Sequence, residues 1–204
     1  MADATETTTP EQGATQVPIA SAAQTAGPYW HLVDFPEWAD TTRHFAGQVP
    51  PGEKITLTGR VTDGAGEPVG DAMIEIWHAD PKGEYPDPEG PPGEFQGYGR
   101  CATNRDGSFR FVTLKPGPVP VSGRPGENAK QAPHIALAVF ARGLLTHLSS
   151  RLYFEGEALN DSDPVLSSVP PARRGTLIAK QVEPGTWNLD LRLQGENETV
   201  WMAV

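Results

Sequence analysis

From residue 55 the chain alternates. Ile55, Leu57, Gly59 and Val61 fall on one side, and Thr56, Thr58 and Arg60 on the other, the period of two that a half-buried strand requires. The pattern stops at Asp63-Gly64-Ala65-Gly66, a turn sequence, and resumes over residues 71–77, where Ala72, Ile74 and Ile76 share a face. Residues 100–103 and 108–113 flank Asn104-Arg105-Asp106-Gly107, which predicts a hairpin. Residues 134–141 and 151–154 read as further strands. Near the end, 176–182 is followed by Trp187, Leu189, Leu191 and Leu193 alternating with Asn188, Asp190 and Arg192. Between these runs lie two segments that Pro and Gly keep irregular, 80–99 and 114–133. Residues 161–174 read as loop plus a helical turn or two, because Asp163-Pro164 can open a helix.

No long amphipathic helix and no internal repeat interrupts this series. Seven or eight short strands at such spacing predict an all-β fold, a β-sandwich with long Gly/Pro-rich loops and little helix. Composition agrees: 22 glycines and 21 prolines in 204 residues are an excess over ordinary usage that many turns would absorb. Residues 1–24 are small and polar and read as a flexible N-terminal arm. At Thr25-Ala26-Gly27-Pro28-Tyr29-Trp30 two large aromatics follow a turn, and the sandwich domain is taken as 25–204. Trp38, His44 and Phe45 are the expected packing points before the first strand.

Charge and cysteine content remove several function classes. The net charge of −10 opposes binding to a phosphate backbone. The longest apolar run, 135–141, is far short of the roughly 20 residues that span a bilayer. One cysteine, Cys101, excludes an internal disulfide framework and fits a reducing compartment; mid-strand, it reads as a buried structural thiol. The first residues have no basic start and no apolar stretch, so a cytoplasmic location is expected. Five histidines (His31, His44, His78, His134, His147) and four tyrosines (Tyr29, Tyr85, Tyr98, Tyr153) are the candidate ligands. No HExxH, CxxC or HxH spacing organises them into a self-evident metal site.

Seven short motifs occur in order. They are Gly59-Arg60-Val61, Ile74-Glu75-Ile76-Trp77, Gly83-Glu84-Tyr85, Gly99-Arg100-Cys101, Asp106-Gly107, Lys115-Pro116-Gly117-Pro118 and Pro133-His134-Ile135. The ordered set, from about residue 25 to the C-terminus, resembles the intradiol ring-cleavage dioxygenases, and within them the chains that act on protocatechuate. The resemblance implies a β-sandwich and a ferric ion held by two tyrosines and two histidines. Phenolate oxygens are hard donors that suit Fe(III), and imidazoles complete such a site.

Residue by residue, the resemblance is incomplete. Tyr85 matches the tyrosine of the family's Gly-x-Tyr loop, whereas the second tyrosine, after Pro-Gly-Pro, is replaced by Val119. His134 matches the first histidine of His-x-His, and the second is Ala136. Alternate strand residues share a face, so Ala136 would aim a methyl group where an imidazole is needed. Gln131 stands where the family has a catalytic arginine. The pattern resembles the non-catalytic α type of chain in the two-chain members of the family. No catalytic residue and no metal ligand is then expected here, and Fe(III) is expected on a homologous β chain. The resemblance further implies that Thr25, Gly27, Pro28, Tyr29 and Arg142 line the partner's pocket, where protocatechuate would react with O2. Two other readings stay open: a β-sandwich binding module without a catalytic partner, and a self-sufficient metalloenzyme that adds His78 or Tyr98 to Tyr85 and His134.

Overall fold

The computed structural model describes residues 22, 35–43, 51–87, 95–121 and 129–203. Strand β1 (Lys54–Thr62) buries Ile55, Leu57, Gly59 and Val61, the face its alternation assigns to the core. It pairs antiparallel with β4 (Ser108–Leu114) and parallel with β10 (Thr186–Asn188) and β11 (Leu191–Arg192). Strand β9 (Ile178–Glu183) adds antiparallel to β10. These strands make one layer. The facing layer is antiparallel: β3 (Tyr98–Ala102), β2 (Met73–Trp77), β7 (His134–Phe140) and β8 (Leu148–Phe154). The layers are joined because β9 also pairs parallel with the end of β8, through Tyr153↔Ile178 and Phe154↔Ala179. One nine-stranded sheet therefore wraps almost into a barrel around a single main core, an all-β sandwich with little helix.

Ile55, Leu57 and Val61 of β1 meet Ile74 and Ile76 of β2 and Ile135 and Val139 of β7, all essentially inaccessible to solvent. Each such side chain contributes roughly 1.5–3 kcal/mol on leaving water. Phe154 meets Trp187 edge-on at 5.0 Å, which locks the layers where β9 crosses between them. Cys101 is a buried thiol in β3, as its position implies. The 104–107 turn forms, with Gly107 at φ 77 and its N–H donating to Asn104 O at 2.8 Å, but the expected hairpin does not. Strand β3 pairs with β2 and β4 with β1, so the turn carries the chain from one layer to the other.

Eleven strands are found among the described residues, against seven or eight expected. The difference lies in short pairings without an alternating stretch to announce them. Within 114–133, expected to be irregular, β5 (Val119–Pro120) and β6 (Lys130–Gln131) form a two-residue ladder. Strand β8 begins at Leu148 rather than 151, because Ser149 and Ser150 hide its periodicity from an apolar count. In 161–174 the expected helical turns are α1 (Pro164–Ser168) and α2 (Pro171–Arg174). Trp38 packs as expected, edge-on to Tyr98 with Arg100 over its ring, whereas His44 and Phe45 lie outside the described residues.

Candidate functional site

Two loops meet backbone to backbone. Asp80 folds the first: its carboxylate accepts the N–H groups of Lys82 (2.8 Å) and Glu84 (3.0 Å). The Asp80 carbonyl accepts from Gly83 N in the same loop and from Gly117 N of the other, at 3.0 and 2.9 Å. A Cβ on Gly83, which has φ 85, would lie 2.1 Å from Pro118 O, and one on Gly117 would lie 2.3 Å from Pro81 O. The Gly-x-Tyr and Pro-Gly-Pro motifs are thus the two halves of one clasp, and glycine is needed in each. The clasp delivers Tyr85 to the outer face of the β2–β7–β8 layer.

There the Tyr85 ring stacks on Trp77 with centroids 4.5 Å apart, and its hydroxyl lies 3.4 Å from His134 Nε2. His134 Nδ1 sits 2.7 Å from the Ala132 carbonyl, so Nδ1 carries the proton and Nε2 presents its lone pair to the tyrosine. The imidazole is buried, which lowers its proton affinity, and the nearby Arg151 guanidinium lowers it further. Burial raises the pKa of the Tyr85 hydroxyl. The pair is a neutral tyrosine donating to a neutral histidine.

The register of the layer places the remaining positions. Trp77, Ala136 and Arg151 lie directly opposite one another across β2, β7 and β8, and His134 is opposite Tyr153. All five therefore share the outer face. Ala136 offers only its methyl group, and Val119 is buried in β5 opposite Gln131. Arg151 Nη1 donates to Gln131 Oε1 at 2.7 Å. Beneath them, Asp163 is fully buried and accepts four hydrogen bonds: Ala132 N (2.8 Å), Tyr153 Oη (3.1 Å), Val165 N (2.9 Å) and Leu166 N (2.8 Å). Asp163 fixes Ala132, and Ala132 fixes His134.

Other candidates lie elsewhere. Both ring nitrogens of His78 are engaged, by Ala79 O at 2.7 Å and Thr113 Oγ1 at 2.8 Å, and burial pushes its pKa down to about 4. Tyr98 donates to Glu75 Oε1 at 2.7 Å, and burial together with that carboxylate raises its pKa to about 12. Neither joins Tyr85 and His134, and no cluster of three His, Cys, Asp or Glu side chains able to hold a metal occurs among the described residues. Arg142 follows the far end of β7, about 20 Å along the strand from His134. It is 68% exposed, with Nε 2.6 Å from Asp71 Oδ2. Thr25, Gly27, Pro28 and Tyr29 lie outside the described residues, as does all of the 1–24 arm except Ala22. Sequence reasoning missed Trp77, Arg151 and Asp163 as parts of the site, and had Tyr153 only as one of four candidate tyrosines. Only the β7–β8 register could have revealed Arg151.

A family model described as Dioxygenase matches residues 25–191. The chain is 43% identical over 192 residues to the protocatechuate 3,4-dioxygenase alpha chain of Pseudomonas putida, covering 88% of this chain and 94% of that one. The chain belongs to the intradiol dioxygenases. These are non-haem iron enzymes. Similarity extends to a protocatechuate 3,4-dioxygenase beta chain of Burkholderia cepacia, 35% identical over 162 residues, covering 74% of this chain and 68% of that one. Among solved structures, the dioxygenase domain of a dioxygenase carbohydrate-binding protein fusion from Streptomyces sp. SirexAA-E superposes with TM-score 0.56 at 28% identity. That match covers 77% of this chain and 87% of that one. The 3-chlorocatechol 1,2-dioxygenase of Rhodococcus opacus 1CP shares the intradiol fold, with TM-score 0.60 at 22% identity over 89% of this chain and 69% of that one.

Proposed function

We propose that this chain is the iron-free α chain of a two-chain protocatechuate 3,4-dioxygenase, inactive alone and paired with a homologous, iron-bearing β chain. The observation that carries the proposal is the donor set at the family's metal position. Two candidate donors, the Tyr85 hydroxyl and His134 Nε2, are hydrogen-bonded to each other, while Val119 and Ala136 supply only hydrocarbon. A guanidinium stands on the same face. Ferric iron needs a filled set of hard and imidazole donors, so these residues do not fit it. The 43% identity to a protein named as an alpha chain supports the same reading.

In the assembled enzyme, 3,4-dihydroxybenzoate and O2 give 3-carboxy-cis,cis-muconate, both oxygen atoms entering the product as the ring opens between the hydroxyl-bearing carbons. The ferric ion of the partner supplies the activation of the catechol. This chain contributes structure, the 25–29 segment as pocket lining, and Arg142 as a cation for the substrate carboxylate. The carboxylate must approach a chain of net charge −10, so a local cation matters. Arginine can hold it by two parallel hydrogen bonds. The position of Arg142, remote from Tyr85 and His134 and exposed, suits contact with a neighbouring chain's site rather than with this chain's own.

The test is metal analysis with an oxygen-uptake assay, on this chain alone and after co-expression with a β-type homologue. Expected are negligible iron and no uptake for the chain alone, and one iron per αβ pair with protocatechuate-dependent uptake for the complex. Stoichiometric iron with a visible tyrosinate band in the isolated chain would overturn the reading. A complex whose activity is unchanged when this chain is omitted would favour a binding module with no catalytic partner.

A further inference from the structure

The outer face of the β2–β7–β8 layer is hollowed into a cavity of about 410 Å³. Its floor is made of small side chains: Ala136 and Ala138, two apart on β7, point to the same side. One wall is the indole of Trp77, 47% exposed and braced from behind by Tyr85. The opposite wall is Arg151, placed across the floor by the Trp77↔Ala136↔Arg151 register.

The electrostatics of this cavity are one-sided. Among the described residues the contacts of Arg151 are neutral oxygens, Gln131 Oε1 and the Tyr153 hydroxyl, and no carboxylate lies within ion-pair distance. The buried Asp163 carboxylate lies beyond that hydroxyl and is engaged by its own four donors. The tyrosine stays neutral because burial raises its pKa. Glu75 also borders the cavity, but its carboxylate is taken by Tyr98 and by Arg100, whose Nε donates to it at 2.8 Å. A guanidinium has five N–H donors, more than two neutral oxygens satisfy. A half-buried cation with no direct ion-pair partner among the described residues is unusual on a chain that carries ten excess negative charges.

We propose that this cavity is a second, metal-free binding site for a small aromatic carboxylate. The acid group sits on Arg151 and the ring lies over the alanine floor against Trp77. The volume falls in the range of small-molecule pockets, about 300–1,000 Å³. Flat indole surface suits an aromatic ring, and the guanidinium fork suits a carboxylate. The proposal rests on the iron-free reading only in that Arg151, not a metal, is the positive charge on this face. It is independent of the pocket that Arg142 would complete on a partner.

The probe is radiolabelled benzoate, which has the ring and the carboxylate but no hydroxyls for iron to chelate. Equilibrium dialysis of the full chain should show saturable binding of one equivalent, weakened at least about tenfold in Arg151→Gln, the scale of a charge-assisted contact. Ala138→Phe, which fills the outward-facing floor without touching the core, should abolish binding while leaving the melting temperature near that of wild type. Benzylamine, the same ring with the opposite charge, should not compete. No saturable binding by the wild type would overturn the proposal, as would undiminished binding in both variants. Loss of benzoate binding in Arg142→Ala, with Arg151→Gln unaffected, would overturn it and place the acid at the other arginine. Loss of oxygen uptake in the Arg142→Ala complex with benzoate binding intact would separate the two sites and support both.

Discussion

Asp163 is the residue whose removal should cost this domain most for its size. Its carboxylate is inaccessible and is the acceptor for four donors drawn from three places in the chain: the Ala132 N–H before β7, the Tyr153 hydroxyl on β8, and the first two free N–H groups of α1. Replacement by alanine strands the buried donors and removes the helix cap. A buried donor left unpaired costs about 1–3 kcal/mol and a lost cap about 1 kcal/mol. The Val165 N–H is only part-buried and can take water, and neighbouring losses are not additive. The expected destabilisation is therefore about 3–5 kcal/mol, a large share of the roughly 5–15 kcal/mol available to a domain. At about 2–4 °C per kcal/mol for a chain of this length, Asp163→Ala should melt roughly 6–20 °C below wild type. Thermal unfolding followed by circular dichroism measures this, with Asp161→Ala, at the exposed end of the preceding turn, as the neutral control. A loss under about 1 kcal/mol for Asp163→Ala, or an equal loss in both variants, would refute the account of Asp163 as the tie between β7, β8 and α1.

Three further outcomes follow from the same contacts. His78 has a folded pKa near 4 against 6.5 unfolded, so the unfolded chain binds the extra proton; its contribution is complete above about pH 6.5 and is lost as the pH falls toward 4. The loss approaches about 3 kcal/mol, and a urea titration across that window should show it reduced in His78→Gln. In the reconstituted complex, Arg142→Ala should raise the Michaelis constant for protocatechuate about ten- to hundredfold with little change in turnover, and should barely alter catechol, which lacks the carboxylate; equal effects on both substrates would remove its assigned role. Gly97→Ala should destabilise the domain by more than 1 kcal/mol in chemical denaturation, since φ there is 60 and a Cβ would come within 2.0 Å of His78 O.

Legibility in the sequence followed the length of each alternating run. Strand β1 could be read directly because four inward positions succeed one another without interruption. Shorter alternations, Ile74 and Ile76 in β2 and Ile135, Leu137 and Val139 in β7, made those strands legible too. The β5–β6 ladder could not, because a pair of two-residue strands leaves no period to detect and is held by the loops on either side. At the site, Tyr85, Val119, His134 and Ala136 were found through local motifs, each read within a few residues. Arg151 escaped for the opposite reason. It reaches the site only through a cross-strand register with Ala136, fifteen positions away, and that register is fixed by Leu148 to Ser150, where the apolar signal fails. Asp163 was visible as a helix opener, but its hold on Ala132 and Tyr153 depends on the return of the chain beneath β8.

The glycine clasp between the 80–85 and 115–118 loops has a consequence for how such a scaffold can change its chemistry. The loops are held by carbonyls and amides, at positions 80, 83 and 117, and not by any side chain that would bind iron. A ligand side chain is therefore a passenger on the clasp: exchanging tyrosine for valine at position 119 alters what the loop presents without altering how it is tied. In a protein whose loops were pinned by the metal itself, the same exchange would release them. A domain tied in this way would keep its shape without the ion, which would leave a copy of it free to specialise as a partner for one that binds iron.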